Sequence, residues 1–96
     1  MATIVATIEL RLHVTQAMNL KDKRRVLKGF KDRLRNRFNV SVAEVEGQDS
    51  HRRAILVVAM AGNDKTYVEG CLQQIANTAA MHRDMVLMDH QIQWLA

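Results

Sequence analysis

These 96 residues contain no proline, a single cysteine, and only four aromatic side chains of the Phe, Tyr and Trp kind. Each shortage excludes a class. One thiol cannot close an intramolecular disulfide, so Cys71 argues against a disulfide scaffold and for a reducing compartment, expected to be the cytoplasm. No apolar run approaches the ~20 residues that span a bilayer, and the chain opens on no leader-like pattern, so no membrane partner is expected. Linker and low-complexity composition is also missing, which leaves one domain over residues 1–96. There is no Walker-type glycine loop, no GxGxxG, no CxxC and no HExxH. His13, His51, His82 and His90 are scattered, none with a second ligand at helical or hairpin spacing, so neither a metal nor a cofactor is expected. Cys71 falls in an apolar helical stripe, the setting of a small core residue rather than an activated thiolate. With no constellation for turnover, the chain is not expected to be an enzyme.

What the sequence has in abundance is positive charge in one place. From Lys21 to Arg37 there are nine cations and two carboxylates, a net of +7; the whole chain is +4, so the remainder carries −3. Leu20, Val26, Leu27, Phe30, Leu34 and Phe38 share one arc of a helical wheel, the core stripe of an amphipathic helix. Beside it Arg24, Lys28, Lys31 and Arg35 recur at three- and four-residue spacing, with Lys21 and Arg25 on the flank. Asn19 supplies an N-cap and Asp22, three residues on, a relative of the capping box. A face made only for solubility would intersperse both signs, because like charges four apart destabilise a helix.

The rest alternates as strands. Residues 3–14 put Ile4, Ala6, Ile8, Leu10, Leu12 and Val14 on one face, and Val5, Thr7, Glu9, Arg11 and His13 on the other. Residues 39–46 form a second strand, Gly47-Gln48-Asp49-Ser50 a turn, and Arg53–Ala61 a third strand, apolar at every position from Ala54 onward and therefore central. Asp64 caps a helix over residues 65–82 with Val68, Cys71, Leu72, Ile75, Ala79 and His82 on its stripe. His82, near the end of that helix, is expected to act as a cation on the C-terminal dipole. A last strand over 85–95 has Val86, Met88, His90, Ile92 and Trp94 on one parity. The order β-α-β-β-α-β predicts an α+β, ferredoxin-like fold: a four-stranded antiparallel sheet with both helices on one face.

Leu20-Lys21-Asp22-Lys23-Arg24, Asn39-Val40-Ser41-Val42-Ala43-Glu44-Val45 and Gln48-Asp49 resemble the signature segments of the YlxP-like proteins. The resemblance runs over essentially the whole chain, to His90 and Trp94. It implies the same ferredoxin-like fold, no established activity, and genes that often lie among those for translation and ribosome maturation. The chain departs from that pattern at Ser50-His51-Arg52-Arg53, where Leu-Trp-Gln-Arg commonly stands, so no aromatic contact shared with the family is expected at that hairpin, and Arg52 and Arg53 add cations there.

Two functional expectations follow. In one, Lys21, Arg24, Arg25, Lys28, Lys31 and Arg35, with Arg52 and Arg53 as outlying contacts, bind the phosphates of RNA or of a ribosomal particle. In the other, the sheet face left uncovered by the helices, with Val5, Thr7, Ile55 and Val57, docks a protein, most simply a second copy in a homodimer. Base stacking on central strands is disfavoured, since Phe30, Phe38, Tyr67 and Trp94 all lie elsewhere. An acylphosphatase-type activity would need a glycine-rich anion cradle near residues 10–20, which is missing. Glu44 and Glu46, two apart on a strand, are expected to point the same way, with Glu44 pairing to Arg24, Arg25 or Arg53.

Overall fold

The computed structural model describes residues 2–96. Along the chain come β1 (Ile4–Val14), α1 (Leu20–Arg37), β2 (Val40–Glu46), β3 (Arg53–Gly62), α2 (Lys65–Ala80) and β4 (Met85–Trp94). All pairings are antiparallel and the sheet order is β2-β3-β1-β4, so the two most apolar strands are central. Leu27, Phe30 and Leu34 of α1 and Val68, Leu72, Ile75 and Ala79 of α2 pack on Ala6, Ile8, Leu10, Leu56 and Val58 of the sheet. One sheet face is thus covered by helices. Ile55, Val57 and Ala59 of β3, half-buried, lie on the other.

Both helix starts follow the expected chemistry. The Asn19 side chain accepts from Asp22 N at 2.9 Å, and Asp22 Oδ2 reaches back to Met18 N at 3.1 Å, one residue before the cap rather than the cap itself. Asp64 caps α2 through Thr66 N at 3.1 Å. The second helix stops at Ala80, two residues short of the expected end, and His82 lies beyond it.

Two bulges correct the expected faces of the edge strands. Between Glu44 and Glu46 the β2 register shifts: Glu44 is opposite Leu56, Glu46 opposite Ile55, and Val45 is the extra residue. Directly opposed residues share a face. Glu44 therefore faces the helices and Glu46 the open side, and the two carboxylates do not form a pair. On β4 the shift inserts Met88, because Leu12 is opposite Leu87 while Arg11 is opposite Asp89. Met85 and Leu87 consequently turn to the core, with His90, Ile92 and Trp94 on the same side, whereas Val86 and Met88 turn outward. A strict two-residue alternation cannot register this change, because a bulge flips every side chain that follows it.

Candidate nucleic-acid interface

The buried stripe of α1 begins with a lysine. Lys23, Leu27, Phe30 and Leu34 recur at spacings of four, three and four, and all four are buried. Lys23 is only 1% exposed. Its ammonium donates to the carbonyls of Gly47, Ser50 (2.7 Å) and Arg53 (2.9 Å), all in the β2–β3 hairpin. Glu44 Oε2 lies 2.8 Å from the same nitrogen. Three protons are matched by three carbonyls, so that carboxylate oxygen makes no hydrogen bond of its own, and the contact is coulombic. Glu44 thus pairs with Lys23, not with Arg24, Arg25 or Arg53. The sequence did carry a signal, the perfect stripe spacing of Lys23, but its charge argued for the surface.

Outside this buried pair, four of the six expected helix cations gather between α1 and the edge strand β2, while Arg25 lines a separate cleft with Val14, Gln16, Ala17 and Asp84. Arg24, Lys28, Lys31 and Arg35 line a cleft of about 380 Å³ with Leu27, Asp32 and Glu44. Arg35 donates to the Val42 carbonyl of β2 at 3.0 Å, which fixes the cleft's wall. Asp32 sits inside the stripe, 2.8 Å from Lys28 Nζ and 3.6 Å from Arg35 Nη1. The Lys28 hydrogen bond above all, with the charges of Lys28, Arg35 and Lys31, holds the Asp32 carboxyl below the usual carboxylate range against a smaller opposing desolvation. The two acids of the cleft are therefore both answered, Glu44 by Lys23 and Asp32 by Lys28. Arg24, Lys31 and Lys21 form no ion pair among the described residues, and Arg25 is 3.9 Å from Asp22.

The two outlying arginines part company. Arg52 donates from Nε to Ala17 O at 3.2 Å, close to the start of α1. Arg53 is opposite His13 on the open face, across the sheet from α1. There it borders a cleft of about 300 Å³ with Arg11, His13, Glu46 and Ile55. Val5, Thr7, Ile55 and Val57 do share that open face, as expected. It carries no Phe, Tyr or Trp: Trp94 is opposite Ala6 on the helix side, with Lys65 Nζ 4.9 Å from its ring centroid.

Cys71 is buried. His82 does not act as the expected cation. It packs edge-on to Phe30, centroids 5.8 Å apart, and its Nδ1 accepts from Asp84 N at 3.0 Å, which requires that nitrogen unprotonated. Burial pushes its pKa down, with Arg33 and Arg83 adding to the effect and Asp84 opposing it. Among the described residues no group of three or more His, Cys, Asp or Glu side chains is placed to hold a metal ion, and no helix is long and apolar enough to cross a membrane.

A four-stranded antiparallel sheet with two helices on one face, in the order β-α-β-β-α-β, makes this a ferredoxin-like α+β protein. A solved structure of the same fold is the de novo designed protein Foldit4, with a TM-score of 0.55 at 16% identity over 98% of this chain and 97% of that one. Residues 5–92 match the family described as "Protein of unknown function (DUF503)", and the chain belongs to that family. A curated relative, "Uncharacterized protein YlxP" of Bacillus subtilis (strain 168), is 32% identical over 72 residues, 75% of this chain and 78% of the relative.

Proposed function

We propose that this protein is a non-enzymatic RNA- or ribosome-associated module that grips phosphate backbone with the cationic flank of α1. The observation that carries the reading is the cleft beside β2, where Arg24, Lys28, Lys31 and Arg35 converge and the Glu44 floor is neutralised from below by buried Lys23. Charge is segregated by face. The open side sets Arg11 and Arg53 against Glu9, Glu46 and Asp89, whereas the helix layer keeps a large cationic excess. From Arg24 to Arg35 the stripe is ~16 Å long at ~1.5 Å per residue, enough to follow several phosphates. Arginine contributes bidentate forks and lysine point charges, a mixture suited to backbone contact without base reading.

Sucrose-gradient fractionation of cell extract tests the association, with the protein expected to travel with a ribosomal subunit. In a purified assay, neutralising about four phosphates gives a slope of log K against log salt of about −3 to −4. Arg24→Glu with Lys28→Glu is expected to weaken binding strongly and leave the fold intact, since both side chains are exposed. Salt-insensitive association retained in that double variant would falsify the basic-helix reading.

A second reading, homodimerisation through the open face, is favoured by one observation. Ile55, Val57 and Ala59 form a half-buried apolar row with no helix above it, flanked by Val5 and Thr7.

A further inference from the structure

The cationic flank beside β2 is not the only one on α1. Arg33 and Arg37 project from the opposite side of the helix, where they line a cleft with Gln74, Asn77 and Thr78 of α2. Arg33 also lies beside Arg83, past the end of α2. Arg33 and Arg37 form no ion pair among the described residues, and Arg83, with a side chain 91% exposed, reaches only Asp84 at 4.0 Å. Cations at a helix C-terminus have a structural use, since they offset the dipole. That use extends over the last turn of α1, which holds Arg35 and Arg37; Arg33 lies before it.

Two cationic lanes therefore run along opposite flanks of one helix. Arg24, Lys28, Lys31 and Arg35 face β2, and Arg33 and Arg37 face α2, with Arg83 beside Arg33 past the end of that helix. The body between them is a single helix, about 10–12 Å across with its side chains. On its outer ridge Gly29 meets open space, so that a Cβ placed there would touch nothing within 4 Å. A glycine in mid-helix lowers the ridge at that point, and Arg25 and Asn36 stand exposed on either side of it.

A single strand follows one lane of positive charge. Two lanes separated by the width of a helix match two phosphate backbones separated by a groove. In A-form RNA the wide, shallow minor groove admits a protein surface, and it is recognised through phosphates and 2′-hydroxyls rather than base sequence. We infer that the ligand of this interface is duplex RNA, with α1 seated over the minor groove, its β2-side lane on one backbone and Arg33, Arg37 and Arg83 on the other. This rests on the phosphate-binding reading of α1 and adds the class of RNA and a second set of contacts.

Binding of two probes at fixed low salt tests it, a blunt RNA duplex of roughly 20 base pairs and a single-stranded oligouridine of about the same length. The wild type is expected to bind the duplex about tenfold more tightly. Arg33→Glu with Arg37→Glu is expected to remove most of that preference while single-strand binding stays within about twofold; Arg24→Glu with Lys28→Glu is expected to weaken both. Unchanged thermal melts confirm that each variant is folded. Equal affinity for the two probes, or a duplex affinity untouched by the Arg33 and Arg37 reversals, overturns the two-lane interface and leaves the single-lane reading in place. No binding of either probe by the wild type overturns both.

Discussion

Lys23 Nζ lies 2.8 Å from Glu44 Oε2, with the lysine side chain 1% and the glutamate side chain 18% exposed. An ion pair in this position joins the first half of α1 to β2, and the three carbonyls on the same ammonium join both to the β2–β3 hairpin. The lysine cannot be removed cheaply. Lys23→Met keeps the length of the side chain but leaves three carbonyls and a carboxylate without their cation, and breaking a buried pair from one side costs about 3–5 kcal/mol. Urea denaturation is expected to show a loss of that order. Glu44→Gln is expected to cost much less, because the ammonium keeps its three carbonyl acceptors. A Lys23→Met variant within about 1 kcal/mol of wild type would show that the hairpin holds itself.

The hairpin makes a second demand, at Gly47. Its φ of +90° is in the region that favours glycine, and a Cβ there would stand 2.5 Å from the Arg53 carbonyl oxygen, one of the acceptors of Lys23. Backbone is on the receiving side of that clash, so it cannot be relieved by a rotamer change. Gly47→Ala is expected to destabilise the protein by about 1–3 kcal/mol. Amide exchange should report the loss first in residues 47–53, and an unchanged melting temperature would contradict the geometry.

The elements, their order and the central position of β1 and β3 were legible in the sequence because they rest on periodicity, and the buried stripes follow it over most of their length. The edge strands were less so. A bulge adds one residue at Val45 and another at Met88, and no local pattern announces where pairing slips, so alternation alone places Glu44 on the same face as Glu46 and Met88 on the same face as Ile92. Lys23 was hidden for a different reason. Its spacing to Leu27, Phe30 and Leu34 is that of a core residue, but burying an ammonium depends on carbonyls brought from more than twenty residues away, which only the folded hairpin supplies. The cationic stripe itself was legible because a helix places its neighbours by spacing alone. The arginines on its far flank gain meaning only once α2 is seen beside them.

His82 predicts a pH dependence. Burial is the main reason its pKa lies below the ordinary value of 6.5, so the unfolded chain binds a proton there more readily than the native protein does. Stability tied to the neutral imidazole is fully present above about 6.5 and is lost as pH falls from there through the lower native value. Protonation of Nδ1 also removes the hydrogen bond from Asp84 N. The urea midpoint is expected to be lower at mildly acidic pH than at neutral pH, and His82→Gln to flatten that difference. A midpoint difference that persists undiminished in His82→Gln would assign the effect to other groups.

The open face yields an independent expectation. Val57 stands in a row with Ala43 on β2, Glu9 on β1 and, through Glu9, Gln91 on β4. Under the dimer reading a charge in the middle of this row must be desolvated on association, whereas in the monomer it reaches solvent and lies opposite Glu9. Val57→Lys is therefore expected to leave the thermal melt nearly unchanged and to convert a dimer into a monomer in light scattering. If the wild type is itself monomeric at high micromolar concentration, the open face is not a dimer interface.

Asp32 lies inside the cationic stripe and offers a gain rather than a loss. It holds Lys28 at 2.8 Å and Arg35 at 3.6 Å, so two of the four cations facing β2 are partly occupied before any ligand arrives. Its carboxyl, held below the usual range mainly by the Lys28 hydrogen bond, stays ionised at the pH of any ordinary binding assay, so acidification does not release those cations. Asp32→Asn does. It removes the negative charge, keeps the size of the side chain, and leaves the Lys28 ammonium and the Arg35 guanidinium available to phosphate. RNA affinity is expected to rise by about two- to fivefold, the scale of one exposed ion pair, with a steeper salt dependence because more counterions are displaced. In a chain that already carries Arg24→Glu and Lys28→Glu the same substitution should gain less, since only Arg35 remains to be released. A loss of affinity on Asp32→Asn would mean that the carboxylate itself orients the cations for binding, and that the stripe works as a fixed network rather than as free charges.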